Sequence, residues 1–203
     1  MSRTFRSWPV RAAVLVTAAC ARGETAAVAD SPTTVAAAVI DSVVPRDEEL
    51  RRFRQGVDSV DALAGGAPSA DALVRRFATA LEARDTATLH ALRIDRREFA
   101  WAYYPASRLA RPPYDLSPAL MWFQLEGNSG RGLFHALEER GGRPLRLLSH
   151  ACPRVDAEGA NRIHAGCTIR RLQAPGDTVQ EQLFGAILER GGSFKFVSYS
   201  NRL

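Results

Sequence analysis

SHACPRVDAEGANRIHAGC, residues 149–167, places a turn between two cysteines. The midpoint between Cys152 and Cys167 falls between Gly159 and Ala160, next to the turn-forming segment 156–159. Residues at equal distances from a hairpin turn lie opposite each other, close enough for two sulfur atoms to bond. The sequence therefore predicts an antiparallel hairpin that is closed by a Cys152–Cys167 disulfide.

Further strands are predicted around this hairpin. Strand-like patterns cover residues 145–152, 162–173, 178–189 and 193–201. Pro175-Gly176-Asp177 and Gly191-Gly192 separate the later ones as turns. Because such short turns join antiparallel neighbours, the sequence predicts an antiparallel meander of four or more strands.

The region before Pro144 has a helical period instead. Apolar residues recur every three or four positions over 50–60 and 73–81, and Pro45 and Ser69 mark the starts of these two helices. A third, short helix is predicted over 96–103. A fourth element is predicted from Ser117 to Gly141, as one helix or as two because of the glycines 127, 130 and 132. Helices followed by an antiparallel sheet define the α+β class.

This order of elements resembles the nuclear transport factor 2-like superfamily, which includes ketosteroid isomerases and SnoaL-like polyketide cyclases. The likeness covers residues 69–203 and includes the closing stretches LFGAIL (183–188) and FKFVSY (194–199). The chain also resembles exported bacterial proteins without an assigned function. The superfamily resemblance implies N-terminal helices packed on a curved, cone-like meander whose mouth holds a small apolar ligand.

Enzymes of that superfamily place Asp, His or Tyr inside the cone, so the resemblance also implies candidate catalytic residues. These are Asp95, Glu98, Tyr103, Tyr104 and His135. A buried carboxylate with a raised pKa would act as a base, and a tyrosine hydroxyl would stabilise an enolate oxygen, without a cofactor. The alternative is that these tyrosines and Trp101 simply pack around a helix end, and the sequence favours this alternative.

Two histidines beside the two cysteines suggest a zinc site. His150 and Cys152 share one strand face, whereas His164 and Cys167 are three residues apart and point to opposite faces. A disulfide would also use both thiols. We therefore expect no metal ion. The glycine-rich segment 127–132 lacks the glycine order and the lysine of a phosphate-binding loop.

Residues 1–20 have the three parts of a secretory signal. Arg3, Arg6 and Arg11 accompany an uncharged run, residues 12–21, that is too short to span a bilayer. The run contains VTAAC, residues 16–20, which resembles a lipobox whose Cys20 becomes lipidated. Thr17 departs from that pattern, in which a large aliphatic residue is usual. Cleavage without lipidation and an uncleaved anchor are the alternatives.

The remaining chain is predicted to be a tether, residues 21–44, followed by one α+β domain, residues 45–203. The net charge is +5, but removing residues 1–19 leaves +2, so nucleic acid is not an expected partner. We expect a lipid-anchored protein of the cell envelope, on the periplasmic or outer side, or else a secreted one. It would bind a small apolar ligand or an envelope protein. A cofactor-independent isomerase or dehydratase and a purely structural interaction module are the alternatives.

Overall fold

A computed structural model of the chain describes residues 44–200. The predicted signal with Cys20, and the predicted tether up to residue 43, lie outside the described residues. The α+β class is confirmed, because helices precede two antiparallel sheets of three and four strands. Within residues 44–200, no helix combines the length and the hydropathy that a membrane span requires.

Five α-helices and seven strands follow one another in the described part of the chain. The helices are α1 (Arg46–Phe53), α2 (Ala70–Glu82), α3 (Thr86–Ala91), α4 (Arg96–Glu98) and α5 (Pro118–Arg140). A π-helical turn, Phe99–Tyr103, continues α4, and the 3₁₀ turns Tyr104–Ala106 and Arg108–Ala110 follow it. The strands are β1 (Leu147–Ala151), β2 (Arg154–Glu158), β3 (Asn161–Ala165), β4 (Thr168–Ala174), β5 (Asp177–Glu181), β6 (Ile187–Arg190) and β7 (Ser193–Phe196).

Side-chain caps begin two of the helices where the sequence predicts them. The hydroxyl of Ser69 accepts a hydrogen bond from the Ala72 N–H, and that of Ser117 accepts one from the Leu120 N–H. Helix α5 is one unbroken helix, which settles the alternative of one helix or two. Its buried face, which includes Leu125 in its first half and Leu133 in its second, packs against the rest of the fold along most of its length.

Two helix predictions need correction. The first predicted helix extends too far, because α1 ends at Phe53 and the chain turns at Gly56, whose φ is +69°. The short helix α3 is absent from the sequence prediction; it begins at Thr86, after the N-cap residue Asp85, whose carboxylate accepts a hydrogen bond from the Thr88 N–H. Six residues are too few for a clear apolar period, so the cap was its main signal.

Two of the predicted strands are interrupted by bends. The first hairpin keeps one register across its bend, with Ala151 opposite Thr168 in one sheet and Arg154 opposite Ala165 in the other. The predicted strands 162–173 and 178–189 therefore divide into β3 and β4, and into β5 and β6. After each bend the chain passes between the sheet β1-β4-β5 and the sheet β2-β3-β6-β7.

The predicted Cys152–Cys167 disulfide is confirmed and lies at the bend of the first hairpin. Strand β2 was missed because residues 156–159 were assigned to the turn, whereas the turn lies between Glu158 and Asn161. Gly159 and Gly166 have φ values of +61° and +70°, a region that favours glycine, at the tip and at the bend.

The helices bury their apolar faces in two clusters. One cluster joins α2, α3 and the second half of α5 to the sheets, with Phe77 packed edge-on against Phe184 and Phe196. The other surrounds Phe99, joining the π-helical turn and the first half of α5 to β3 and β6 through Ile163 and Leu188. This second cluster fixes the segment 103–109 beside the four-stranded sheet.

Candidate functional site

A cavity of about 420 Å³ lies between the four-stranded sheet and the segment 103–109. Its apolar lining comes from Leu109, Ile163, Ala165, Ala186 and Val197, and its polar lining includes Tyr103, Ser107, Arg108, Glu158, Gln182 and Ser198. The cavity therefore brings together residues from four separate parts of the chain. The lining is mixed, because the charged side chains of Arg108, Arg154, Asp156 and Glu158 stand beside the five apolar residues. Small-molecule sites likewise combine apolar walls with polar groups that fix the orientation of the ligand.

Strand β2 supplies the polar side of the cavity, because its side chains alternate between the two faces of the sheet. Arg154, Asp156 and Glu158 occupy every second position and all three line the cavity. Val155, between them, is exposed on the opposite face. Ile163 and Ala165 of β3 contribute apolar side chains to the same face by the same period.

Glu158 is the most enclosed carboxylate of the cavity, with 11% of its side chain exposed. It accepts a hydrogen bond from the backbone N–H of Arg108, and the Nε atom of Arg108 lies 3.8 Å from Oε1. Burial raises the pKa of Glu158, and the hydrogen bond and positive charge of Arg108 oppose that shift without cancelling it. Glu158 thus keeps a proton to a higher pH than an exposed glutamate does.

Tyr103, at the end of the π-helical turn, places a buried phenol on the same cavity. Burial raises the pKa of Tyr103 well above its ordinary value, and the charge of Glu158 raises it further, while a hydrogen bond with Ser107 acts in the opposite direction. The hydroxyl is therefore neutral at physiological pH. A carboxyl group and a neutral phenol on one partly apolar cavity can together bind a polar group of a ligand.

Two of the sequence candidates, Asp95 and Glu98, form a capping box at the start of α4. Asp95 Oδ1 accepts a hydrogen bond from the Glu98 N–H at 2.8 Å, and Glu98 Oε2 accepts one from the Asp95 N–H at 2.9 Å. This arrangement satisfies two backbone donors at the helix start. Neither residue lines the cavity.

Glu98 has further buried partners. Its Oε1 accepts a hydrogen bond from the Ala64 N–H at 2.7 Å, and Lys195 Nζ donates to its Oε2 at 2.7 Å. Lys195 Nζ also donates to the Ala64 carbonyl at 3.1 Å. The pair thereby joins the loop before α2 to α4 and β7, and all the polar atoms involved are occupied.

The other two candidates also lie outside the cavity. The Tyr104 hydroxyl donates to the Leu116 carbonyl at 2.8 Å, which holds the segment before α5. His135 is exposed on α5, where it lines a separate cavity of about 250 Å³ together with Glu139 and Gln182. Of the five sequence candidates, the structure brings only Tyr103 to the cavity beside Glu158.

The residues of the zinc hypothesis have other partners. Both cysteines are in the disulfide, and His164 Nε2 lies 2.7 Å from Glu189 Oε2. His150 Nδ1 lies 3.8 Å from Asp71 Oδ1. In the described residues no three His, Cys, Asp or Glu side chains are grouped so that they could hold a metal ion.

Sequence reasoning missed Glu158, the carboxylate that does line the cavity. A signal was present, because Arg154, Asp156 and Glu158 alternate with Val155 and Ala157 as they would on a strand with one polar face. Assigning residues 156–159 to a turn concealed that alternation.

No protein-family model, curated protein or solved structure matches this chain.

Proposed function

We propose that this protein binds a small ligand with an apolar body and a polar end in the cavity beside Glu158. The observation that supports this proposal is an open cavity of about 420 Å³ that combines apolar side chains with two carboxyl groups, two guanidinium groups and a phenol. Its volume lies within the range of roughly 300–1,000 Å³ of small-molecule sites. An open cavity favours ligand binding over an interaction module whose interior is filled by side chains.

The residues define the chemistry of the ligand. Ile163 and Val197 would contact its apolar body, and Glu158 and Tyr103 would bind its hydroxyl, carbonyl or carboxylic acid group. A protonated Glu158 can donate a hydrogen bond, and an ionised one can only accept. A cone-like sheet, as the superfamily resemblance implies, is part of this proposal, and the bends shared by neighbouring strands are the feature in its favour.

The test replaces a small residue of the apolar wall with a large one, whose side chain would fill the cavity. We expect Ala165→Trp to abolish saturable binding of a panel of aliphatic and steroidal alcohols, ketones and acids, followed by ligand-detected NMR and native mass spectrometry. Val155→Trp is the matched control, because Val155 lies on the opposite face of the neighbouring strand. Equal binding by Ala165→Trp and the wild type, or no binding of any member and no co-purified ligand, would contradict the proposal.

A second candidate function is an isomerase or dehydratase that acts without a cofactor. The observation in its favour is that Glu158, with its raised pKa, and the neutral Tyr103 hydroxyl line the same cavity. Glu158 would remove a proton next to a ketone, and Tyr103 would donate a hydrogen bond to the enolate oxygen. Deuterium exchange into bound ketones in D₂O tests this: Glu158→Gln should stop it, and exchange at the solvent rate in the wild type would rule it out.

We also propose that the protein is exported and anchored by a lipid on Cys20. The disulfide supports export, since disulfides persist in oxidising compartments, and it leaves Cys20 as the remaining cysteine of three. In cells fed an alkyne-tagged fatty acid, the wild type should become labelled and Cys20→Ala should not. The Cys152→Ala, Cys167→Ala double variant is the control that keeps Cys20. An unlabelled wild type would contradict the anchor.

A further inference from the structure

The side chain of Arg108 brings a guanidinium group to the cavity beside Glu158 and leaves it without a hydrogen-bonded partner. Arg108 begins the 3₁₀ turn that packs over the four-stranded sheet, and it lines the cavity. Its backbone N–H donates to Glu158, but its Nε lies 3.8 Å from Glu158 Oε1, which is too far for a hydrogen bond. Within residues 44–200 the guanidinium group donates no hydrogen bond, and 61% of the side chain is exposed. Its N–H donors are therefore open to a ligand.

The second guanidinium group of the cavity is already bound. Arg154 Nε donates to Asp156 Oδ2 at 2.9 Å, within strand β2. The positive charge of Arg154 is thus balanced by a neighbour on the same strand. Among the four charged side chains that line the cavity, Arg108 is the cation that has no hydrogen-bonded partner in the described part of the chain.

The apolar residues of the cavity lie deeper than Arg108. Ile163 and Val197 are 8% and 1% exposed, and both line the cavity. A ligand whose apolar body covers these two residues would keep its polar end beside Arg108, at the mouth, where water still reaches. An anionic end group in that place gives up little of its hydration, so its charge is not costly to bind there.

A carboxylate matches the donors that surround this place. A guanidinium group presents parallel N–H donors to the two oxygens of a carboxylate, and such charge-assisted pairs are among the stronger hydrogen bonds. Glu158 is compatible with a second carboxylate, because a protonated carboxyl group donates a hydrogen bond and burial keeps a proton on Glu158 to a higher pH than usual. The neutral phenol of Tyr103 is a further donor on the same cavity.

We infer that the ligand of this cavity is an amphipathic carboxylic acid, whose carboxylate binds the Arg108 guanidinium group at the mouth and whose hydrocarbon part covers Ile163 and Val197. This inference rests on the proposed function, because it names the class of ligand that the same cavity binds. It makes Arg108 the residue that determines specificity. An alcohol or an amide of the same skeleton would form no charge-assisted pair with Arg108, and an amine would bring a second positive charge beside it.

The first test compares end groups on one hydrocarbon skeleton. Decanoic acid, decanamide, decanol and decylamine are titrated into the full-length chain by calorimetry, and the same four end groups on a steroid skeleton form a second series. In the series that binds, the acid should bind roughly tenfold or more tightly than the alcohol and the amide, as expected for hydrogen bonds to a charged group. Equal binding of acid and alcohol, or tighter binding of the amine, would overturn the inference and leave the proposed function standing. No binding in either series would contradict both.

The second test removes the guanidinium group. Arg108→Gln keeps the backbone N–H that Glu158 accepts and breaks no side-chain hydrogen bond, so the melting temperature should not change. This variant should bind the acid and the alcohol equally, with the alcohol bound as by the wild type. Arg111→Gln is the matched control, because the charge of Arg111 also acts on Glu158 but its side chain does not line the cavity. It should change the preference for the acid by about twofold or less, since water and salt screen a charge without direct contact. An acid preference that survives in Arg108→Gln, or that Arg111→Gln removes equally, would overturn the inference.

Discussion

Glu98 and Glu158 are two largely buried glutamates of one chain with very different surroundings. Glu98 is completely buried and binds the Ala64 and Asp95 N–H groups and Lys195 Nζ. Glu158 lines a cavity, and its partner there is Arg108, through a backbone hydrogen bond and a guanidinium 3.8 Å away. A carboxylate whose oxygens are all occupied holds elements together, whereas one that lines a cavity can bind something else.

The difference shows that residue type and helix position are poor guides to a site. Glu98 is a sequence candidate because the superfamily resemblance implies acidic, histidine or tyrosine side chains inside the cone, and Glu158 is not among those candidates. The neighbours decide the role of each, and they come from distant parts of the chain: Ala64 and Lys195 for one, Tyr103 and Arg108 for the other. Three predictions test this distinction.

The largest effect is expected at Glu98. Replacing Glu98 with alanine leaves Lys195 buried without its counter-charge, and breaking a buried pair in this way costs about 3–5 kcal/mol in the free energy of unfolding. Urea denaturation measures that cost. The double variant Glu98→Leu, Lys195→Met should recover only part of it: no charge is then left buried, but the Ala64 and Asp95 N–H groups lose their acceptor. A loss below about 1 kcal/mol for Glu98→Ala would mean that the pair contributes little to the fold.

A smaller effect is expected at Asp95, which caps the helix that carries Glu98. Asp95→Ala removes the hydrogen bond to the Glu98 N–H, and loss of an N-cap costs about 1 kcal/mol. Asp85→Ala is the control, because Asp85 caps α3 in the same way but belongs to no buried ion pair. If Asp95 also positions Glu98, its substitution destabilises the protein more than the control does. Equal losses of unfolding free energy in the two variants would mean that Asp95 acts only as a helix cap.

The smallest effect is expected at Glu158, and it depends on pH. Because its pKa in the folded protein is raised above the ordinary 4.5, the folded state holds this proton more tightly than the unfolded state does. The free energy of unfolding therefore falls as pH rises from about 4.5 to the raised folded pKa. Glutamine cannot titrate, so Glu158→Gln should gain stability relative to the wild type across that interval.

Glu181→Gln is the control of opposite sign for this measurement. Burial acts to raise the pKa of Glu181, but hydrogen bonds from Arg171 and Arg140 outweigh burial and lower it. Its stabilising contribution is present above the ordinary pKa and is lost as pH falls, so Glu181→Gln should be less stable than the wild type near neutral pH. Urea denaturation from pH 4 to pH 8 compares the two variants. Parallel pH profiles for both would contradict the assigned pKa shifts.

Local signals were enough to predict much of this fold. The apolar period of α2, the caps at Ser69 and Ser117, and the equal spacing of Cys152 and Cys167 about a turn each depend on a few neighbouring residues. The strand bends do not, because a bend is fixed by the sheet to which each half of the strand pairs. The sequence pattern of a strand is the same whether its two halves pair within one sheet or in two different sheets.

The candidate site was less predictable for the same reason. Tyr103 was included among the candidates by resemblance, and it does line the cavity. The cavity itself is formed by a helix end, β2, β3 and the chain around Ala186 and Val197, which are far apart in sequence. Glu158 becomes a member only once β2 is recognised as a strand with one face towards that space.

The disulfide at the bend also limits how the first hairpin can change in length. Cys152 and Cys167 must stay opposite each other, and the pairs from Arg154–Ala165 to Glu158–Asn161 occupy all of the strand between them and the tip. One residue inserted into the β2 arm between Cys152 and Glu158 would shift every later pair and turn Glu158 to the outer face. Insertions in this hairpin are therefore tolerated at the Gly159 tip. They are also tolerated as equal additions to both arms that keep the alternation of side chains between the two faces. The length of the arm and the position of the cavity carboxylate can consequently change only together.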